Sequence, residues 1–456
     1  MRCASRSNFQ RRKDDTVTLR ESDAGGIVPP AGLTAAQARR VALGSAAGTA
    51  VEYYDFTVYG LLSVSLSTHF FHSDDPLAAL LSTFAIFGVA FVLRPIGGMV
   101  FGHLGDTLGR RRVLTATILL MTGSTAVIGV LPTYPEIGLA APILLLLARV
   151  AQGLSAGGET SGAGVYAAES APAKRRAFYA SGISGGALFG ALIASVLIVG
   201  LSSVLPAAEM NTWGWRIPFL ISLPIGLIGF WIRRRLEESP QFTGLAEQGS
   251  VANAPLLTAV REHRRTILVA TCLTLFPMAG YYLIYIYMPT YLTKVAGFDA
   301  RVGFWSSTVA LLAACVATPM FATLSDRTGR KPMLIVSGIA MCALIIPALM
   351  VMNSHTVGLA ILSHVVIAVP HAAAQSVLLV TIAEQFPTVV RSSGLSLGYN
   401  VAAAVAGGSA PFAATWLVAH TGNTMSPAWF VIIMAVLTLA AAVSLRETTG
   451  RQLQEA

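Results

Sequence analysis

Charge is scarce in this chain. Of its 456 residues only 12% are Asp, Glu, Lys or Arg while 54% are hydrophobic, and the mean hydropathy is +0.66. Soluble domains carry about 25% charged residues, so the composition argues against a soluble enzyme or regulator and for a polytopic membrane protein. Cysteine is equally sparse. Cys3, Cys272, Cys315 and Cys342 show no paired spacing, which gives neither a disulfide framework nor a zinc site. The first residues lack the apolar core of a cleavable signal peptide. They read as a polar cytoplasmic tail, with the first span acting as an uncleaved signal.

The net charge of +9 raises the question of nucleic acid, and its distribution answers it. Arg216, Lys294 and Arg301 fall in or beside loops assigned to the outside, and Arg94 and Arg149 fall within helices. The rest of the 31 Lys and Arg lie in the tails and in alternate loops. That asymmetry is the positive-inside pattern, with both termini cytoplasmic. Its expected partner is the anionic lipid surface, not nucleic acid.

Long apolar runs are abundant. A spanning helix needs about 20 residues, and by that measure twelve spans are counted, from 41–68 and 77–102 to 393–418 and 427–446. The expected fold is all-α integral membrane. It comprises a cytoplasmic tail (1–40), a six-helix bundle (41–233), a charged cytoplasmic linker (234–265), a second six-helix bundle (266–446) and a C-terminal tail (447–456). Trp213, Trp215, Trp305, Trp416 and Trp429 are expected near outer helix ends, as an aromatic belt.

The two bundles are repeats of one another. Gly102-His-Leu-Gly-Asp-Thr-Leu-Gly-Arg-Arg-Arg-Val-Leu114 returns as Ala322-Thr-Leu-Ser-Asp-Arg-Thr-Gly-Arg-Lys-Pro-Met-Leu334, with Asp106, Gly109 and Arg110 matching Asp326, Gly329 and Arg330 at one offset of 220 residues. A second pair of loops matches as well: Ala168-Glu-Ser-Ala-Pro-Ala-Lys-Arg-Arg176 and Ala383-Glu-Gln-Phe-Pro-Thr-Val-Val-Arg391. Short charged turns between apolar helices, duplicated in register, imply two homologous halves.

Ionisable residues at membrane depth are expensive and mark functional sites. Glu52 and Asp55 lie three residues apart on one face of the first span, within Val51-Glu-Tyr-Tyr-Asp-Phe-Thr-Val-Tyr-Gly60, which also supplies Tyr53, Tyr54 and Tyr59. Arg149 falls near the middle of the fourth span, close to Gln152 and followed by Glu159. An arginine there can clamp a carboxylate bidentately or pair with Glu52 or Asp55. Glu159 reads equally as a packing ion pair or a coupling residue. Arg94, a candidate to line the cavity, and His103 read either as parts of the proton path or, preferably, as structural partners. Tyr281, Tyr282 and Tyr285, with Gln375 and Asn400, are candidates to line a cavity from the second half. His364 and His371 share a face of the tenth span but have no third ligand at metal-binding spacing, so no metal is expected. Nor is a nucleophile–base pair visible, so the chain is not expected to be an enzyme, and no cofactor is expected beyond the proton.

The duplicated loop resembles the signature of the major facilitator superfamily between its second and third helices. Three stretches narrow this to the metabolite:proton symporter family: Glu52 to Gly60, Arg94-Pro-Ile-Gly-Gly98, and Gly157-Gly-Glu to Arg176. The Arg149, Gln152, Gly153 pattern, Trp213-Gly-Trp-Arg-Ile-Pro-Phe219 and Leu236-Glu-Glu-Ser-Pro240 fit as well. Thr160 and Ser161 stand where that family carries Tyr and Gly, and Tyr54 where it carries Trp. The resemblance implies two six-helix bundles of inverted three-helix repeats around a central cavity, in a monomer of the plasma (inner) membrane. It implies proton-driven import of a small polar metabolite, an organic acid in the first instance, with proline and betaine as the other substrates of the family. It also implies a gate of Asp106, Arg110 and Glu169 with counterparts Asp326, Arg330 and Glu384. In it Asp106 sits against a helix N-terminus and Arg110 pairs with Glu169. These pairs are expected at an exposed surface, each contributing under about 1 kcal/mol.

Rival readings are a sugar porter, a drug/proton antiporter and a non-transporting membrane sensor. Against the first, Gln241 stands where the sugar-porter Pro-Glu-Ser-Pro-Arg signature continues with Arg. Against the second, Gly182 to Gly200 in the fifth span lacks the antiporter Gly-Pro. Against the third, the tails are too short to form a signalling domain.

Overall fold

The structure is a computed structural model, and it describes residues 35–108, 110–234, 260–450 and 453. The side chains of Asp106, Arg110 and His103, and the expected linker 234–265 apart from its ends, lie outside the described residues. No strand is found among the described residues.

Among the described residues twelve spans follow one another. They are α1 (Ala35–Leu61, continuing as Ser63–Phe70), α2 (Pro76–Leu108), α3 (Arg110–Val130), α4 (Ala140–Ala156 and Glu159–Ser170), α5 (Arg176–Val204) and α6 (Arg216–Arg234). In the second half come α7 (Arg264–Gly280, then Tyr281–Tyr287 and Met288–Lys294), α8 (Ala300–Thr328), α9 (Arg330–Met352), α10 (Val357–Ala383), α11 (Thr388–Ala402, then Ala403–Gly408 and Ala410–Thr421) and α12 (Ser426–Ser444). Among the described residues, nine spans are long and apolar enough to cross a membrane, or ten if α6 and the bent helix preceding it count as one. The other two are α1, which carries Glu52 and Asp55, and α3, which opens on three arginines and is apolar only over Thr115–Val130.

Burial is inverted relative to a soluble protein. Val92, Leu147, Ile339 and Leu362 point outward, each more than half exposed, whereas Glu52, Asp55, Arg94 and Arg149 are at most 1% exposed. Apolar side chains face lipid and the ionisable ones face protein, as the absence of water in a bilayer core demands. Of the expected belt, Trp213, Trp305, Trp416 and Trp429 are exposed. Trp215 is not. It is fully buried between His69, Phe70 and Phe219, because its neighbour Arg216 folds over its ring while donating to the carbonyls of Gly129 and Leu131.

The halves are α1–α6 and α7–α12. In each, the third helix packs on the sixth (α3 on α6, α9 on α12), while α5 packs on α8 and α10 across the interface. Small residues let the inner helices approach closely. A Cβ on Gly97 of α2 would lie 1.9 Å from the carbonyl oxygen of Leu154 on α4, and one on Gly153 would lie 2.2 Å from that of Ala90. The duplicated loop has its own glycine requirement. Gly329, between α8 and α9, has φ +112°, a conformation that L side chains rarely adopt.

Three spans are interrupted at mid-depth. α4 breaks at Gly157 and Gly158, and α7 and α11 relax into π turns over Tyr281–Tyr287 and Ala403–Gly408. π turns inside membrane helices recur at functional sites. These two touch each other, since Gly407 lies against the Tyr282 ring.

Candidate functional site

Two polar clusters occupy the first half, one helical turn apart along α1. In the first, Arg94 Nη2 lies 2.9 Å from Glu52 Oε1, and the hydroxyl of Thr160 donates to Glu52 Oε2 at 2.8 Å. The Arg94 guanidinium is also stacked 4.6 Å from the ring centres of both Phe56 and Phe91. Thr160 is one of the departures from the family pattern, and its hydroxyl is short enough to fit beside the pair. In the second cluster, Arg149 donates to Gln152 Oε1 (2.7 Å) and to the carbonyl of Phe87 (3.2 Å). Its guanidinium lies over the rings of Tyr59, Phe56 and Phe87 at 4.3, 4.9 and 4.9 Å. Gln152 in turn donates to the Thr125 hydroxyl at 2.6 Å.

Asp55 belongs to this second cluster but is not engaged. Both its carboxylate oxygens are buried without a hydrogen-bond partner, and Thr125 and Arg149 act on it only at longer range. The expected pairing of Arg149 with Glu52 or Asp55 is therefore absent in this state. Glu52 is held by Arg94 from α2, and Arg149 is held by neutral groups.

The second half closes the site with phenols. Tyr281 meets the Tyr53 ring edge-on at 5.0 Å, and Tyr282 meets Phe91 at 4.8 Å. The hydroxyls of Tyr53 and Tyr399 lie 2.9 Å apart across the interface. Asn400 Nδ2 donates to the Gly157 carbonyl at the α4 break (2.9 Å), and Ser161, another departure, donates to Ser396 (3.2 Å). Gln375 meets the first half through its backbone, whose carbonyl accepts from Ser184. Glu159 is buried in the first turn of the second α4 segment.

Two tyrosines lie elsewhere than the sequence reading put them. Tyr54 points away from the centre and donates to the Pro218 carbonyl of α6, because the residue after Tyr53 faces another side of α1. Tyr285 is turned between α7 and α10, beside His371 and the Ala368 carbonyl, so it does not line a central cavity.

The face that carries the duplicated loops is sealed by an ionic network. Asp326 accepts from the backbone N–H groups of Ala177 and Phe178 at 2.9 and 3.0 Å, so a carboxylate of the second half sits on the N-terminus of α5 in the first. Arg330 pairs with Asp326 (3.0 Å) and reaches Glu384 (3.5 Å), which also binds Arg176 at 3.0 Å. Glu169 pairs with Arg391 at 2.6 Å, while the side chain of its expected partner Arg110 lies outside the described residues. The arginines of these pairs are at most 5% exposed, so the expectation of exposed bridges is overturned for the described pairs. Contact between the halves excludes water there. Arg176 and Arg391 were not among the expected gate residues. Their signal was the second loop repeat, where each ends a copy.

Beyond α12 the chain folds back onto this network. Glu447 accepts from the N–H groups of Arg330 and Lys331 at 3.1 and 3.0 Å, and Thr448 donates to Glu384 at 2.5 Å. Burial works against the charge of Glu447. Hydrogen bonds from the Thr449 hydroxyl and from the backbone of Arg330, Lys331 and Thr449 outweigh it and hold the carboxyl below its usual range.

On the opposite face the halves meet through Ser63 and Thr290 (3.3 Å) and through Ser195 and Thr308 (2.6 Å). Outward of these lies a cavity of about 190 Å³ lined by residues of both halves, among them Ser65, Asn211, Thr293 and Asp299. The buried clusters thus sit between two closed faces.

Twelve spans in two related halves, with ionisable groups sealed at mid-depth, define a membrane transporter. Comparison with known proteins agrees. The model of the family "Sugar (and other) transporter" matches residues 41–254 and again 244–456. A proline/betaine transporter of Salmonella typhimurium is 36% identical over 427 residues, covering 92% of this chain and 85% of that protein. The glycine betaine/proline/ectoine/pipecolic acid transporter OusA of Dickeya dadantii is 35% identical with the same coverage. A proline/betaine transporter of Escherichia coli is 34% identical over 98% of this chain and 90% of its own length. Among solved structures, the proton:xylose symporter XylE aligns with TM-score 0.73 at 19% identity, covering 93% of this chain and 99% of that one. The chain belongs to the major facilitator superfamily, within the family of sugar (and other) transporters. It is a multi-pass transporter of small molecules and not an enzyme.

Proposed function

We propose that this protein is a proton-coupled symporter that imports a small zwitterionic carboxylate, of the proline or betaine kind, by alternating access. The observation that carries the reading is Asp55: a buried carboxyl without a hydrogen-bond partner, beside an arginine that binds only neutral groups. Arg149 can serve one carboxylate at a time. When a substrate carboxylate takes it, the charge of Arg149 is neutralised and no longer favours an ionised Asp55, which is then stable only as the protonated acid. Substrate and proton then enter together.

The faces of Tyr53, Tyr281 and Tyr282 suit the positive end of a zwitterion. A simple organic acid, the first expectation from the sequence, leaves those faces unused. The relatives, named as transporters of proline, betaine, ectoine and pipecolic acid, support the same choice. In this reading the ionic-network face is cytoplasmic, as are both termini. The chain acts as a monomer in the plasma (inner) membrane with no cofactor but the proton.

The test is uptake into liposomes with an inward proton gradient, using labelled proline, glycine betaine, shikimate and oxoglutarate. Proline or betaine should accumulate and an uncoupler should abolish accumulation. D55N should lose accumulation yet retain substrate exchange. Uncoupler-sensitive accumulation by D55N would show that another group carries the proton, and accumulation of the acids alone would restore the organic-acid reading.

A further inference from the structure

His364 and His371 are fully buried on α10, and each reaches across to a backbone carbonyl of α7. His364 Nε2 lies 2.7 Å from the Ile284 oxygen and His371 Nε2 lies 2.9 Å from that of Pro277. A carbonyl can only accept, so both rings carry their proton on Nε2. The other ring nitrogens face hydroxyls: Nδ1 of His364 lies 2.7 Å from Ser306 Oγ on α8, and Nδ1 of His371 lies 3.2 Å from Tyr285 OH.

The Pro277 carbonyl precedes the π turns of Tyr281–Tyr287 and the Ile284 carbonyl lies within them. In the i→i+5 register the donor to Ile284 would be residue 289, and Pro289 has no N–H. His364 donates to that carbonyl. At the other end Pro277 stands where the α-helix gives way, its carbonyl shared between the Tyr281 N–H and His371. Gly280 makes room for this arrangement, because a Cβ there would lie 2.5 Å from His371 Cδ2. A π segment persists where its surroundings over-determine it. Here two histidines do so, and the same turns carry Tyr281 and Tyr282 to the rings of Tyr53 and Phe91.

We infer that His364 and His371 are positioning residues of the transport cycle. They form a two-point clamp by which α10 holds the π turns of α7 wound, keeping Tyr281 and Tyr282 at the site and the face opposite the ionic network closed. Neither histidine touches substrate, and both act through α7. The effect on substrate affinity rests on the function proposed above, whereas the effect on closure does not.

The test therefore reads both. Thr293, which lines the outer cavity beyond the π turns, is replaced in a T293C variant, and its labelling by a membrane-impermeant maleimide is timed in liposomes. H364L and H371L should each speed labelling about fivefold or more and raise the apparent KM for proline by a similar factor. H364Q, which keeps a donor, should return both towards the parent values. P289A restores an N–H to α7, so H364L/P289A should also recover, and it reads the clamp even if H364L alone does not fold. Unchanged labelling in both leucine variants, or failure of both H364Q and H364L/P289A to recover, overturns the clamp. Faster labelling in a protein that takes up no zwitterion leaves the clamp standing and overturns the substrate reading.

Discussion

The hydroxyl of Tyr53 on α1 lies 2.9 Å from that of Tyr399 on α11, and this bond joins the halves one residue away from the Glu52–Arg94 pair. Both groups are buried, so a partner left behind by substitution loses its bond without gaining water. Y53F and Y399F should each favour the state in which the halves part at the ionic-network face. A double-mutant cycle on the labelling rate of a cysteine at that face should give a coupling of about 1 kcal/mol. Additive effects would mean that the bond does not contribute.

Glu52 and Arg94 test how a buried pair divides its work. Removing one partner strands a charge, which costs about 3–5 kcal/mol, whereas replacing both is far less damaging. R94Q should therefore lower the thermal unfolding temperature in detergent more than E52Q/R94Q does. T160A should have a smaller effect, since it removes one hydrogen bond to a charged acceptor, about 2 kcal/mol. An R94Q no less stable than the double variant would place the pair in a wet, exposed setting that the observed burial excludes.

Glu384 collects Arg176 from the first half together with Arg330 and Thr448 from the second. E384Q should shift the protein towards opening at the ionic-network face by more than E169Q does, because Glu169 pairs with Arg391 at a more exposed position. Accessibility of a cysteine introduced at Ser396, compared between the two backgrounds, measures the difference.

Glu447 adds a pH dependence whose sign follows from its hydrogen bonds. Its carboxyl is held below the usual value of 4.5, so the contribution is fully present above about pH 4.5 and is lost as pH falls through the depressed value. Thermal stability of the parent protein should therefore drop below pH 4.5 more steeply than that of E447Q. Parallel acid profiles for the two proteins would remove Glu447 from this role.

Much of this protein was legible in one dimension. Apolar run length fixes the spans, since a bilayer core admits only self-satisfied backbone, and the duplicated Asp-x-x-Gly-Arg loops fix the two related halves. Glu52, Asp55 and Arg149 announce themselves because ionisable groups are rarely placed at membrane depth. Partner choice was not legible. That Arg94 takes Glu52 while Arg149 rests on Gln152 and three aromatic rings depends on how α1, α2 and α4 rotate against one another at glycine-thin contacts. The pairing of Arg391 with Glu169, the burial of Trp215, the turning of Tyr54 and Tyr285 away from the centre and the reach of His364 and His371 to α7 have the same origin. Hydropathy and spacing determine which segments cross the membrane and which residues are costly there. Only the packing of helices distant in sequence decides which of those residues meet, because side-chain contacts depend on helix rotation and register, and neither is written in the chain order.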